Sequence, residues 1–386
     1  MLRRLSRRTM LVAGFAGVLV SSKGWTATPE SRGRKLIVVI LRGAADGLAI
    51  LPKVDDPDIE AYRGPLVDDQ ATPLSNGFAL HSAMPTLAAL YQSGEAAFIP
   101  AFGGPYRERS HFEAQDLLEC GEVRKVVADG WLNRALQRAP AGYSAVSIGP
   151  AQPLILRGAA QNTSSWSPAV LPEASDDTIV RLLDLYENDP VLKHALSAAL
   201  GADMIAGGME MDSMGGRGGP AQYVPQLEAA GRFLSQPDGP EIAVVSLEGW
   251  DTHTQQNQML QQRLAALDNA IRRLKETLGE IWKTSTLIAV SEFGRTVRVN
   301  GGQGTDHGTG GLAILAGGAV KGGRMLGDWP TLKPAALFED RDLMPTVESR
   351  SVFKGLLRDH LGWATRDLNG FIFPDSIAAP PTGGLV

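Results

Sequence analysis

Residues Leu36 to Leu41 read LIVVIL: six consecutive apolar residues, four of them β-branched. A strand with one wet face alternates apolar and polar residues. A strand with no polar position must be covered on both faces, which requires helices on either side of a sheet. The pattern returns in EIAVVSL (Glu241 to Leu247), in LIAV just before Ser291 and Glu292, and in GLAILAGG after Gly310. Between the first two runs, MPTLAALYQSG reads as a helix stopping at Gly94, and AAFIPAF as the next strand. This β-loop-α-β order predicts an α/β fold, a three-layer αβα sandwich around a mostly parallel central sheet.

The remaining elements fit that frame. SHFEAQDLLECG offers Ser110 as an N-cap, acidic residues early in a helix and Gly121 as a stop. Residues 256–280 form an amphipathic helix, with Leu260, Leu264, Leu267, Ile271 and Leu274 recurring at 3–4 spacing. SVFKGLLRDHLGW closes the fold with a helix. The stretch at about 140–240 is less regular. It holds a strand at YSAVSIG, two helical patterns and a Gly- and Met-rich loop at 206–222, and reads as an insertion or cap on a single domain spanning 29–386.

Residues 1–28 stand apart. Arg7 and Arg8 precede a short apolar run, Leu11 to Val20, which is too short to span a bilayer. The pattern is that of a twin-arginine export signal, so the expected partner is the twin-arginine translocation machinery and the expected location the periplasm or cell exterior. If the signal is cleaved, the mature chain has no stable membrane span. The formal charge is −5, and loss of residues 1–27 would leave 32 basic and 42 acidic residues. Such a surface argues against nucleic acid as a partner. The single cysteine, Cys120, allows no internal disulfide and reads as a small buried residue.

Ligands of open α/β sheets bind beyond the carboxyl ends of the strands. Asp46, Asp251, His253 and Glu292 lie just past such ends, and Asp306 and His307 follow shortly in the loop QGTDHGTGG. Carboxylates with neutral imidazoles suit Zn²⁺ or Mn²⁺, one ion or two, and a pair of ions clamps an ester's attacking and leaving oxygens. The glycines beside Asp306 and His307 let the backbone bend tightly enough to aim adjacent side chains at an ion.

The motifs LRGAADGL, RSHFEAQD, DGWLNRAL, GWDTH, SEFGRT, GTDHGTG and GGAVKGGRMLGDWP resemble the DUF1501 family of exported proteins. DHG after a late strand, Asp after the first strand, and Asp plus His after a middle strand resemble the alkaline phosphatase and sulfatase superfamily. The resemblance implies an alkaline-phosphatase-like fold, one metal on Asp46, Asp306 and His307, and another on Asp251 and His253. It implies Ser110 as nucleophile at a helix N-terminus, with Arg295 or Arg42 holding nonbridging oxygens. The chain departs from the superfamily in spacing Asp251 and His253 by two residues. It also lacks an evident later histidine to complete the second site, for which His81, His111 and His360 are the candidates.

The leading functional expectation is an exported metal-dependent hydrolase or transferase of phosphate or sulfate esters, with His111 beside the nucleophile. A non-catalytic exported binding or scaffold protein that keeps the fold is the alternative. A metal-free serine hydrolase ranks behind both, because the chain has no G-x-S-x-G elbow.

Overall fold

The computed structural model describes residues 33–124, 126–140, 142–167 and 219–386, together with Leu5–Ser6, Glu173–Ala174 and shorter stretches between 176 and 205. The segment expected to be an export signal, apart from Leu5 and Ser6, lies outside the described residues, as do His194 and residues 206–218 of the Gly- and Met-rich loop. Among the described residues no helix is long and apolar enough to cross a membrane.

The first apolar run forms β1 (Lys35–Arg42) at the middle of a nine-stranded sheet. The others are β2 (Ala96–Gly103), β3 (Ala145–Ile148), β4 (Thr163–Trp166), β5 (Ile242–Glu248), β6 (Ser285–Val290), β7 (Gly311–Ala316), β8 (Arg324–Met325) and β9 (Val347–Glu348). The order is β8-β2-β7-β6-β1-β5-β3-β4, with β9 also pairing with β2. All pairings are parallel except those of β7, which runs antiparallel to both β6 and β2. The sheet is therefore mostly parallel, as expected. The reversal of β7 has a local use: the β6–β7 loop starts and ends at the edge where the parallel strands finish.

Alternate residues of β1 enter opposite cores. Ile37, Val39 and Leu41 pack with α1 (Pro85–Gln92), α4 (Tyr223–Leu234) and α5 (Gln256–Leu278). Leu36, Val38 and Ile40 pack with α3 (Trp131–Gln137) and α6 (Ser349–Gly355) on the other face. This double covering is what an uninterrupted apolar strand demands. The five spaced apolar residues of α5 are all buried.

Two features differ from expectation. Strands β3 and β4 extend the central sheet, and α4 covers it, so these parts of 140–240 belong to the layers. The strand expected at YSAVSIG is β3, whereas β4 and α4 were not expected, because a short edge strand carries little periodic signal. The closing helix is not uniform either: Leu356–His360 continues α6 as a π-helical turn.

Candidate metal centre

Four connections meet at the carboxyl edge of the sheet: 43–46 after β1, 104–110 leading into α2 (His111–Cys120), 249–255 after β5, and 291–310 between β6 and β7. The last folds back on itself. Gly308 donates to the Gly294 carbonyl at 2.8 Å, Gly294 to Thr309 at 3.0 Å, and Thr296 to Asp306 at 2.9 Å, so that Arg295 and His307 face each other across an antiparallel bridge. The glycines of GTDHG now have a specific reason. A Cβ on Gly304 would lie 2.4 Å from the His253 backbone, and one on Gly308 2.4 Å from the Arg295 backbone. Backbone approaching this closely leaves no room for a side chain.

Three imidazoles and one carboxylate converge there. His307 Nε2 lies 2.9 Å from His111 Nε2 and 2.9 Å from His253 Nε2. Asp251 Oδ1 is 3.0 Å from His253 Nε2 and 3.4 Å from His307 Nε2, and Asp251 Oδ2 is 3.5 Å from His111 Nε2. His111, Asp251 and His307 each offer a ligand atom within 4.8 Å of the others. The His111 and His307 side chains are 21% and 26% exposed, and those of His253 and Asp251 41% and 44%, so the cluster opens to solvent on one side.

Each imidazole is held from behind by an acceptor. His111 Nδ1 meets the fully buried Glu292 carboxylate at 2.7 Å. His307 Nδ1 meets the carbonyl of Arg109 at 3.1 Å. His253 Nδ1 faces Asp306 at 3.4 Å, and Asn300 holds that carboxylate at 3.1 Å. A carbonyl accepts only, as does an ionised carboxylate, so these contacts place the proton on Nδ1 and turn the Nε2 lone pair inward. With all three protons on Nδ1, no hydrogen lies between the Nε2 atoms that approach to 2.9 Å. Two imidazoles bound tetrahedrally to one zinc ion would have nitrogens about 3.3 Å apart. The observed spacings are of that order, so His111, Asp251 and His307 fit one divalent transition-metal ion, with His253 beside them.

The electrostatics agree. Burial raises the Asp251 carboxyl, but the Arg295 hydrogen bond and charge, with His253 and His111, hold it below its ordinary value. Glu292 is likewise pushed up by burial and held down by hydrogen bonds from His111, Gln115 and Gly43. The hydrogen bond to Glu292 raises His111 above its ordinary value. Burial, then the charges of His111 and Arg295, lower His307.

The structure groups the expected residues differently from the two-site arrangement. Asp251, His253 and His307 come together, and His111 joins them as the third imidazole. Asp306 sits behind His253, and Glu292 behind His111. Asp46 turns elsewhere: it is 1% exposed, caps the short helix Gly47–Ile50, and pairs with Arg63 and Gln256, each at 2.5 Å. Arg63, 17 residues on, and Gln256, 210 residues on, satisfy the carboxylate that the sequence pattern offers as a ligand.

The arginines also differ from expectation. Arg295 is 1% exposed and donates to the carbonyls of Gly43, Ala44, Trp250 and Thr305 and to Asp251 Oδ1 at 2.5 Å. It braces three loops and holds Asp251, so its donors are committed to the protein. Arg42 is committed to Ser246, Gln115 and Glu119. Ser110 does precede α2, but its side chain makes no capping hydrogen bond, and it is exposed beside the Tyr106 hydroxyl. His81 pairs with Asp68 at 3.3 Å, and His360 is buried against the Lys35 carbonyl, so neither completes the cluster. Cys120 is free and buried.

Gln115, Asn300 and Arg109 were not legible as site residues. Gln115 lies one helical turn after His111 and donates to Glu292 at 2.9 Å, a spacing that could have been read. Arg109 acts through its carbonyl, for which no side-chain signal exists.

Among solved structures, the chain is similar to a phosphonate monoester hydrolase of Agrobacterium radiobacter (12% identity, TM-score 0.44), covering 86% of this chain and 74% of that one. It is also similar to the lipoteichoic acid synthase LtaP of Listeria monocytogenes (10% identity, TM-score 0.42), covering 98% and 82%. A third is the C-terminal periplasmic domain of EcEptC from Escherichia coli (11% identity, TM-score 0.39), covering 82% and 77%. No curated protein matches the sequence. The family model described as "Protein of unknown function (DUF1501)" matches residues 100–366, a span holding every residue of the imidazole cluster, and the chain belongs to that family.

Proposed function

We propose that His111, Asp251, His253 and His307 hold one divalent transition-metal ion, zinc or manganese, and that the protein is an exported metal-dependent hydrolase or transferase of phosphate or sulfate esters. The observation that carries this reading is the convergence of three Nε2 atoms and a carboxylate, each imidazole backed by its own acceptor. Nitrogen-rich ligation suits borderline transition metals over magnesium or calcium, which prefer all-oxygen sites. A metal so held supplies Lewis acidity to an ester oxygen and lowers the pKa of a bound water or alcohol.

The chain's own groups have separable roles in this reading. Glu292 and Asp306 fix the ring orientations of His111 and His253. Arg295 keeps Asp251 ionised. Ser110, with its hydroxyl free of the helix it precedes, is the candidate nucleophile, adjacent in the chain to His111. Arg295 and Arg42 are committed internally, so a bound metal would supply positive charge for anion recognition that these two arginines do not.

The test is metal content together with hydrolysis of aryl phosphate and aryl sulfate esters by the zinc- and manganese-loaded protein. Bound metal and turnover that both disappear in His307→Ala support the reading. Metal without turnover of any ester would favour the binding-protein alternative, and no metal would remove the reading.

A further inference from the structure

Arg109 has a left-handed backbone, φ +63°, immediately before Ser110, the N-cap residue of α2. Non-glycine residues occupy that region at a cost, and something nearby must hold them in it. Two ion pairs do so here. Arg109 Nε meets Asp342 Oδ2 at 2.7 Å, and Arg109 NH2 meets Glu339 Oε2 at 2.6 Å. The guanidinium also lies over the Phe338 ring, 5.6 Å from its centroid. The Asp342 side chain is fully buried, whereas that of Glu339 is 58% exposed, so Asp342 is the stronger anchor.

The anchor is fastened to the loop that carries His307. Leu343, next to Asp342, accepts hydrogen bonds from Gly310 N and Thr309 Oγ1, each at 2.9 Å. Arg341 O accepts from Val297 N at 3.0 Å, and Asp342 bridges Thr296. Arg109 is thus tied through Asp342 to the segments on both sides of His307, while its carbonyl receives the His307 Nδ1 proton at 3.1 Å.

We propose that Asp342, through Arg109, is a positioning residue for the metal centre: the Asp342–Arg109 pair aims the Arg109 carbonyl at His307, fixes its tautomer, and sets the start of α2 so that His111 reaches the same point. The inference rests on the proposed ligand assignment but concerns a residue that touches no ligand atom of the metal. It also explains why a loop whose Arg109 and Asp342 are 233 residues apart in sequence is closed by an ion pair.

The experiment measures zinc affinity by chelator competition, and the His307 ring tautomer by ¹⁵N NMR of the metal-free protein. It compares wild type, Asp342→Asn, His307→Ala and the double variant Arg109→Gly/Asp342→Asn. The double variant removes both charges and leaves a residue that tolerates the left-handed backbone, so it keeps the test alive if Asp342→Asn does not fold. A loss of roughly tenfold to 100-fold in zinc affinity, the range for disturbed ligand support, with mixed His307 tautomers in the metal-free protein, is the expected result. Wild-type affinity and a single Nδ1–H tautomer in the folded variants would overturn the proposal. Wild-type affinity in His307→Ala, or no zinc binding by the wild-type protein, would overturn the ligand assignment instead, and the tautomer measurement would still decide whether the clamp orients the ring.

Discussion

His111 and Asp46 show how the same kind of sequence signal resolves differently one residue at a time. Both follow a strand and a glycine-containing loop, and both are ligand-type residues. His111 keeps its Nε2 lone pair available because its Nδ1 donates to Glu292, whereas Asp46 spends both oxygens on Arg63, Gln256 and helix amides. Sequence spacing reports that a residue lies near the strand end. It does not report which distant partners claim its side chain, and this is why Asp46, Arg295 and Arg42 read as site groups. On this account Glu292→Gln, which keeps the shape but loses the negative acceptor, weakens zinc binding by roughly tenfold to 100-fold without removing it. Competition titration measures that loss directly. His360 gives a second residue-scale prediction. Burial lowers its pKa to about 4 from 6.5. Between those values the unfolded chain binds a proton that the folded chain excludes. Stability from this group is therefore full above pH 6.5 and falls towards pH 4, by about 3 kcal/mol. Denaturation midpoints measured across this range should show a shallower pH dependence in His360→Gln, whose amide can still donate to the Lys35 carbonyl.

Among the elements, the long ones were legible. The apolar stripe of α5 and the unbroken runs of β1, β5, β6 and β7 are read directly from periodicity, because packing on one face or two leaves a regular trace. Leu267, fully buried on α5, should cost about 2–5 kcal/mol when replaced by Ala, as read from urea unfolding. The short strands β4, β8 and β9 left no such trace, and neither did the reversal of β7, since strand direction is set by pairing partners. The β6–β7 loop was legible as a site through its Asp and His, but its fold depends on backbone contacts that no side chain announces. Gly308→Ala tests that loop. Its Cβ would meet the Arg295 backbone at 2.4 Å, so the variant should lose metal affinity even where the melting transition shows the rest of the chain folded.

At the level of the whole molecule, the sheet brings residues from 109 to 342 to one edge, and the cluster is assembled only when the domain is complete. Metal binding and folding are therefore linked: an ion that binds the native state alone should add about 2.7 kcal/mol of stability at a free concentration 100 times its dissociation constant. The most direct test of the central claim is the metal stoichiometry of the folded protein, measured by native mass spectrometry after zinc loading, beside His307→Ala. One ion per chain in the wild type and none in His307→Ala is the result the His₃Asp centre predicts. Two ions per chain would restore the divided two-site arrangement, and no ion, or one retained by His307→Ala, would contradict the assignment.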